Sequence, residues 1–172
     1  YLRPKELGSS KTKSDDVVFN FINYFNESDY IVWVNPIAPF QTSTEIKNAV
    51  NYFTNNNLDS LITTEDKQVH CIFDDKPVNF EKESLFAQTQ DLIPVKTFAY
   101  SVMMWRSNTF MDLFEKQGYA LLGGKLGYFP VSKKSAVIIK TDEDLMIVES
   151  ILKASAEEGG YQVQYDDLVA EV

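Results

Sequence analysis

A chain of 172 residues with 44% hydrophobic and 13% aromatic side chains can close one core without disulfides or metals, and its single cysteine, Cys71, has no internal partner. A net charge of −9 excludes a nucleic-acid surface, which needs clustered Lys and Arg, and repels free nucleotides unless a divalent metal or a basic loop offsets their charge. With no charged-then-apolar leader and no apolar run of membrane-spanning length, the sequence reads as one intracellular, cytoplasmic α/β domain with no membrane partner.

In chain order, Ser14 is placed to cap a helix, with Asp15 and Asp16 at its positive end and Val17, Val18, Phe21, Ile22 and Phe25 on one face. Tyr30 to Val34 has the β-branched and aromatic character of a buried strand, stopped by Asn35-Pro36. Thr42 and Glu45 have capping-box spacing before a second helix whose Ile46, Ala49, Val50 and Phe53 share a face. A strand at Ser60 to Thr64 completes a strand–helix–strand unit, which predicts a parallel pair with a right-handed crossover.

Val69 to Phe73 and Pro77 to Phe80, around Asp74-Asp75-Lys76, predict a hairpin that leaves the main sheet. Its apolar positions have no home in a small sheet, so a homodimer is expected. The core signal resumes at Val95 to Trp105, followed by a helix over Asn108 to Lys116 closed by Gly118, and by a strand from Tyr128 to Val131. Val137 to Ile139 reads as a last short strand, and Thr141 with Asp144 caps a helix with Leu145, Val148, Ile151 and Leu152 inward. The domain is expected over residues 1–153, with 154–172 an acidic extension carrying Glu157, Glu158, Asp166, Asp167 and Glu171.

Ligands of open α/β sheets lie beyond the carboxyl ends of the strands, which points to the loop Asn35 to Gln41. Its two prolines equally suit a plain strand stop. The aromatic run Phe98 to Trp105 suits a core strand or a pocket wall, and Arg106 suits an anion or solvent. His70, the only histidine, fits a structural or arm-interface role better than a base, and Cys71 fits a small buried hydrophobe. Apart from Gly123-Gly124-Lys125, no glycine-rich anion-binding turn occurs, so CTP binding by this chain is expected to be weak or absent.

Several segments in order resemble the acylneuraminate cytidylyltransferase family: Arg3-Pro4-Lys5-Glu6-Leu7, Asp15-Asp16-Val17-Val18, Asn35-Pro36-Ile37-Ala38-Pro39-Phe40, and Asp59 to Thr64. His70, Lys76 to Phe80, Gln88 to Pro94 and Thr141 to Leu145 continue the match to about Leu152. The resemblance implies a nucleotide-diphospho-sugar transferase-like, Rossmann-like α/β fold with a mostly parallel sheet, and a hairpin arm over 67–94 that exchanges with a second subunit. It implies that CTP and an acidic sugar such as a sialic acid give CMP-sugar and pyrophosphate, with Mg²⁺ as cofactor.

The same resemblance places Asn35, Gln41, Gln88 and Gln90 near nucleotide or sugar. Members carry two metal-holding aspartates where this chain has Ile138 and Lys140, leaving Asp142 and Asp144 as metal candidates, and many carry an arginine at Gln88. The family's basic, glycine-containing triphosphate loop would precede Tyr1, so the chain alone is expected to be inactive. The other expectation is a degenerate or truncated, non-catalytic relative that serves as a sugar-binding or interaction module.

Overall fold

The five residues Tyr30–Val34 form β1, and each face of this strand meets a different helical layer. Ile31 and Trp33 pack with Val18, Ile22, Trp105, Phe110 and Ala120, while Val32 packs with Ala49, Phe53, Leu58, Leu61, Val102 and Met104. A strand covered on both faces reads as continuous apolar sequence, which is why YIVWV shows no alternation. In this computed structural model, which describes residues 1–157, the other main strands are β2 (Ser60–Lys67), β5 (Val95–Arg106) and β6 (Leu126–Pro130).

The result is a mixed α/β domain with a central sheet flanked by helices. One face carries α2 (Ser43–Asn55), whose Thr42 hydroxyl accepts the Glu45 N–H at 3.1 Å as the capping box requires. The other carries α1 (Ser14–Tyr24) and α3 (Ser107–Gln117), the latter closed by Gly118 at φ 78°. Ser14 is the first residue of α1 and not its cap, because the Asp16 carboxylate reaches back to the Lys13 N–H at 3.3 Å.

The sheet order is β1-β5-β2-β6. β1, β2 and β6 run one way, but β1 and β2 are not the neighbours that the strand–helix–strand pattern predicts. The antiparallel β5 lies between them, pairing Tyr30 with Arg106 on one side and Ser60 with Trp105 on the other. β5 is long and apolar enough to be buried from both edges, and it takes the central position; only β2 and β6 pair in parallel.

The hairpin is present but shorter than expected, as β3 (Ile72–Phe73) and β4 (Lys76–Pro77), turned by Asp74 and Asp75 at φ 48° and 59°, while residues 69–71 and 78–80 are not in strands. Two consecutive left-handed residues are the signature of a two-residue hairpin turn. Val137 to Ile139 is not a strand. Its neighbour is the Asn35 to Phe40 loop, whose prolines offer no N–H to a ladder, and a single bond from Ile139 N–H to Ile37 C=O at 2.8 Å joins the two.

The last helix, α4 (Asp142–Glu157), runs four residues past the expected boundary at Lys153. Val148 is its fully buried side chain, whereas Leu145, expected inward, is 42% exposed. Residues 158–172, with Glu158, Asp166, Asp167 and Glu171, lie outside the described residues. Among the described residues no helix is long and apolar enough to cross a membrane.

Candidate functional site

The loop after β1 is held by its own amides. Asn35 Oδ1 accepts the Ile37 N–H at 3.3 Å, and Gln41 Nε2 donates to the carbonyls of Asn35 and Ala38, both at 3.0 Å. That arrangement fixes the Gln41 amide and leaves its Oε1 buried with no partner. A buried acceptor without a donor costs about 1–3 kcal/mol, so this oxygen is where a donor would be welcome.

The Asn35 N–H donates to Ser101 C=O at 2.9 Å, which ties the loop to an irregular stretch of β5. Ile62 pairs with Met103 but Thr64 with Phe98, so the single residue Thr63 faces Ala99 to Val102. Thr63 compensates with its hydroxyl, which accepts the Val102 N–H at 3.0 Å and lies 3.0 Å from Ser101 Oγ, all of it buried. At the crest of this bulge Tyr100 has φ 52°, a left-handed conformation that costs a bulky residue about 1–3 kcal/mol.

Tyr100 is 39% exposed, and the Lys140 ammonium stands 5.8 Å from its ring centroid. Phe98 meets it edge-on at 5.7 Å and stacks toward Tyr128 at 6.2 Å. Lys140 makes no ion pair among the described residues. The nearby carboxylate, Asp144, is turned to its own helix: Oδ2 accepts the N–H groups of Lys140 and Thr141 and the Thr141 hydroxyl, each at 2.9 Å. The Lys140 N–H and the Thr141 groups hold this carboxyl below the usual aspartate value.

Mg²⁺ takes several oxygen ligands in an octahedron. The side chains around Lys140 supply few: Asp144 Oδ2 is already a triple acceptor and leaves Oδ1, Ile138 offers no side-chain oxygen, and Lys140 is itself a cation. Asp142 lies exposed at the first residue of α4, and the described residues contain no group of three His, Cys, Asp or Glu side chains able to hold a metal.

Behind the loop lies a cleft of about 460 Å³ between the start of α2, residues 132–135 and α4. Glu45 is its anchor, accepting from the Ser132 N–H at 3.1 Å and from the Ser135 hydroxyl. Burial alone would raise the Glu45 carboxyl, but hydrogen bonds from Ser135, Ser132 and Thr42 together hold it below the usual value.

Gln88 and Gln90 also come to this end of the sheet, in the foot of the arm beyond β2. They hydrogen-bond each other, and the Gln90 carbonyl accepts from Gln68 Nε2 at 2.7 Å. No hydrogen bond joins them to Asn35 or Gln41 among the described residues. His70 is in the arm, stacked on Phe86 at 4.3 Å and edge-on to Phe80 at 5.0 Å, with its Nε2 buried and without a hydrogen-bond partner among the described residues. Cys71 beside it is half-buried and not the core residue expected.

Two sequence candidates go to the opposite end. Arg106 donates to Asn57 Oδ1 at 3.0 Å and lies 3.7 Å from Asp59, so it serves the fold there. Gly124 abuts Asp59, where an added Cβ would come within 2.5 Å, and the Lys125 N–H is already taken by Asp59 Oδ2 at 2.8 Å. This turn is filled by the protein's own groups. Tyr100 lies in the run Phe98 to Trp105 read as core strand or pocket wall, but its strained backbone, Thr63 and the Glu45 cleft escaped sequence reasoning; the polar Thr63 and Ser101 interrupting apolar strands were the available signal for a bulge.

Neither family profiles nor curated proteins match this chain. Among solved structures it is similar to a 4-diphosphocytidyl-2C-methyl-D-erythritol synthase from Anaerococcus prevotii, with a TM-score of 0.59 and 16% identity over 83% of this chain and 68% of that one. At that identity the likeness is one of fold: the chain has the central sheet and flanking helices of that nucleotidyltransferase-like, Rossmann-like structure.

Proposed function

We propose that this protein handles a CTP-type nucleotide as a cytidylyltransferase-like domain, with an acidic sugar as the acceptor. The observation that carries the reading is positional. In a fold like that of a diphosphocytidyl-methylerythritol synthase, the Asn35 to Gln41 loop, the strained Tyr100 and Lys140 gather at the carboxyl ends of β1 and β2. The acidic sugar rests on the ordered resemblance of Arg3 to Leu152 and on nothing in the fold.

In this reading the sugar's anomeric hydroxyl oxygen bonds to the α-phosphorus of CTP and gives its proton to solvent, the bond from that phosphorus to the bridging β-phosphate oxygen breaks, and pyrophosphate leaves with the electron pair. This chain's part is to position: Asn35 and Gln41 fix the loop, and Lys140 offers the positive charge that a polyanion needs on a protein of net charge −9. The arm supports a second copy as partner, since Ile72, Phe73, Leu85 and Phe86 are 65%, 78%, 94% and 81% exposed. Sedimentation at micromolar concentration should give a dimer, and a monomer would leave the arm as a local flap.

A second reading, a binding module without turnover, is favoured by one observation: the carboxylate at the mouth is committed to capping α4. Pyrophosphate release by the gene's full product, incubated with CTP, Mg²⁺ and a panel of acidic sugars, separates the two. Sugar-dependent release supports the transferase. CTP binding without release supports the module, and absence of both removes the nucleotide reading.

A further inference from the structure

Two properties of Tyr100 are hard to reconcile with a purely structural role. It is strained, at φ 52° on an otherwise extended strand where a glycine would carry no strain, and it is nevertheless 39% exposed. The bulge that strains it is deliberately satisfied, with Thr63 replacing the missing ladder bonds. Bulges re-aim side chains, and this one turns an aromatic ring toward the mouth.

What the ring meets there is a cation and a void. Lys140 Nζ stands 5.8 Å from the Tyr100 centroid and makes no ion pair among the described residues, although the Asp144 carboxylate is near enough to feel its charge. Beside the ring, a cavity of about 150 Å³ is lined by Leu61, Ile62, Phe98, Tyr100 and Leu122. A dry cavity of about that volume accommodates a benzene-sized ring. The backbone around Lys140 is fixed as well, by Ile139 N–H to Ile37 C=O at 2.8 Å and by Asp144 capping the Lys140 and Thr141 amides.

We infer that Tyr100 and Lys140 form a metal-independent recognition site for a six-membered ring bearing an anionic group, the ring against Tyr100 and the anion on the Lys140 ammonium. Lys140 supplies at the mouth the positive charge that the poor oxygen donor set cannot recruit as Mg²⁺. A nucleoside phosphate is the ligand class that joins these two features. The identity of the ring rests on the nucleotide reading above, whereas the anion site does not.

The test is calorimetry of residues 1–172 with CTP, CMP and inorganic tripolyphosphate, each in EDTA and in Mg²⁺, on the wild type, Lys140→Gln and Tyr100→Gly. CTP and CMP should bind in EDTA with affinity within about twofold of that in Mg²⁺. Lys140→Gln should weaken all three ligands at least tenfold, or about 1.4 kcal/mol. Tyr100→Gly should weaken CTP and CMP while leaving tripolyphosphate unchanged and the melting temperature within about 4 °C of the wild type, which removal of a merely structural aromatic would not do. Binding only in Mg²⁺, or binding indifferent to Lys140→Gln, would overturn the inference and leave the nucleotide reading standing. Tripolyphosphate binding without CTP or CMP would remove the nucleotide reading and keep the anion site, and no binding of any ligand would remove both.

Discussion

The two ends of the central sheet are built on different principles. At the amino ends of β2 and β6 every charge is used: Asp59 takes the Lys125 N–H and the Thr109 hydroxyl, Arg106 lies against it, and Lys125 Nζ donates to Asn56 C=O at 2.7 Å. At the carboxyl ends Lys67 pairs with Glu65 and Lys96 with Asp66, but beside them stand an orphaned Gln41 oxygen, a strained Tyr100 and a Lys140 with no ion pair among the described residues. The contrast teaches which end serves the fold and which end has something left to bind. Substitutions at the closed end should cost stability alone, and those at the open end should cost little stability.

The sharpest test of the closed end is Gly124→Ala. The new methyl would sit 2.5 Å from Asp59 Cβ on a backbone at φ 66°, so both overlap and left-handed strain apply. A loss of about 3 kcal/mol in urea unfolding is expected, and a loss under about 1 kcal/mol would mean that this end gives way more easily than its hydrogen bonds suggest.

Thr63→Val probes the seam between the ends. It removes the hydroxyl that satisfies the β5 bulge and strands the buried Val102 N–H, for an expected loss of about 2 kcal/mol. Denaturant titration should show an unchanged slope with a lower midpoint.

A smaller effect concerns pH. Glu45 and Asp144 are both held below their usual values in the folded protein, so each contributes stability that is present above the unfolded carboxyl value and lost as pH falls through the folded one. Glu45→Gln should therefore shift the acid-unfolding midpoint upward while costing about 1 kcal/mol near neutrality, the worth of a helix cap. An identical acid midpoint in variant and wild type would place the acid lability elsewhere. Smallest of all, Tyr100→Gly should change unfolding free energy by under about 1 kcal/mol in either direction, strain relief offsetting lost contacts. A loss of several kcal/mol would move Tyr100 to the structural side of the comparison.

Local pattern carried most of the elements. The helices at Ser43 and Ser107, β1 to the residue, and the Asp74-Asp75 turn follow from capping spacing, apolar runs and turn chemistry. What pattern could not reach was pairing across distance. Nothing in the sequence of β5 says that it inserts between β1 and β2, because a strand buried from both edges looks the same whichever neighbours it has. The same gap explains why Val137 to Ile139 reads as a strand: the segment leans on a proline-bearing loop, not a ladder. At the mouth, the loop Asn35 to Gln41 was legible from the strand stop, whereas Tyr100 was hidden because φ depends on the bulge and not on residue type.

β5 has one more consequence, for the order of assembly. Tyr30 and Ser60 both wait for residues near Arg106 before either strand gains its partner, so the first half of the chain cannot seal a sheet as it emerges. Closing the sheet thereby depends on non-local strand pairing, which is slow to form, and YIVWV is left as an uncovered sticky segment until β5 arrives. Synthesis halted before Val95 should give a product that holdase chaperones retain, and one halted after Gln117 should release it. The strand that organises the finished sheet thus also sets the moment at which the nascent chain becomes safe from aggregation.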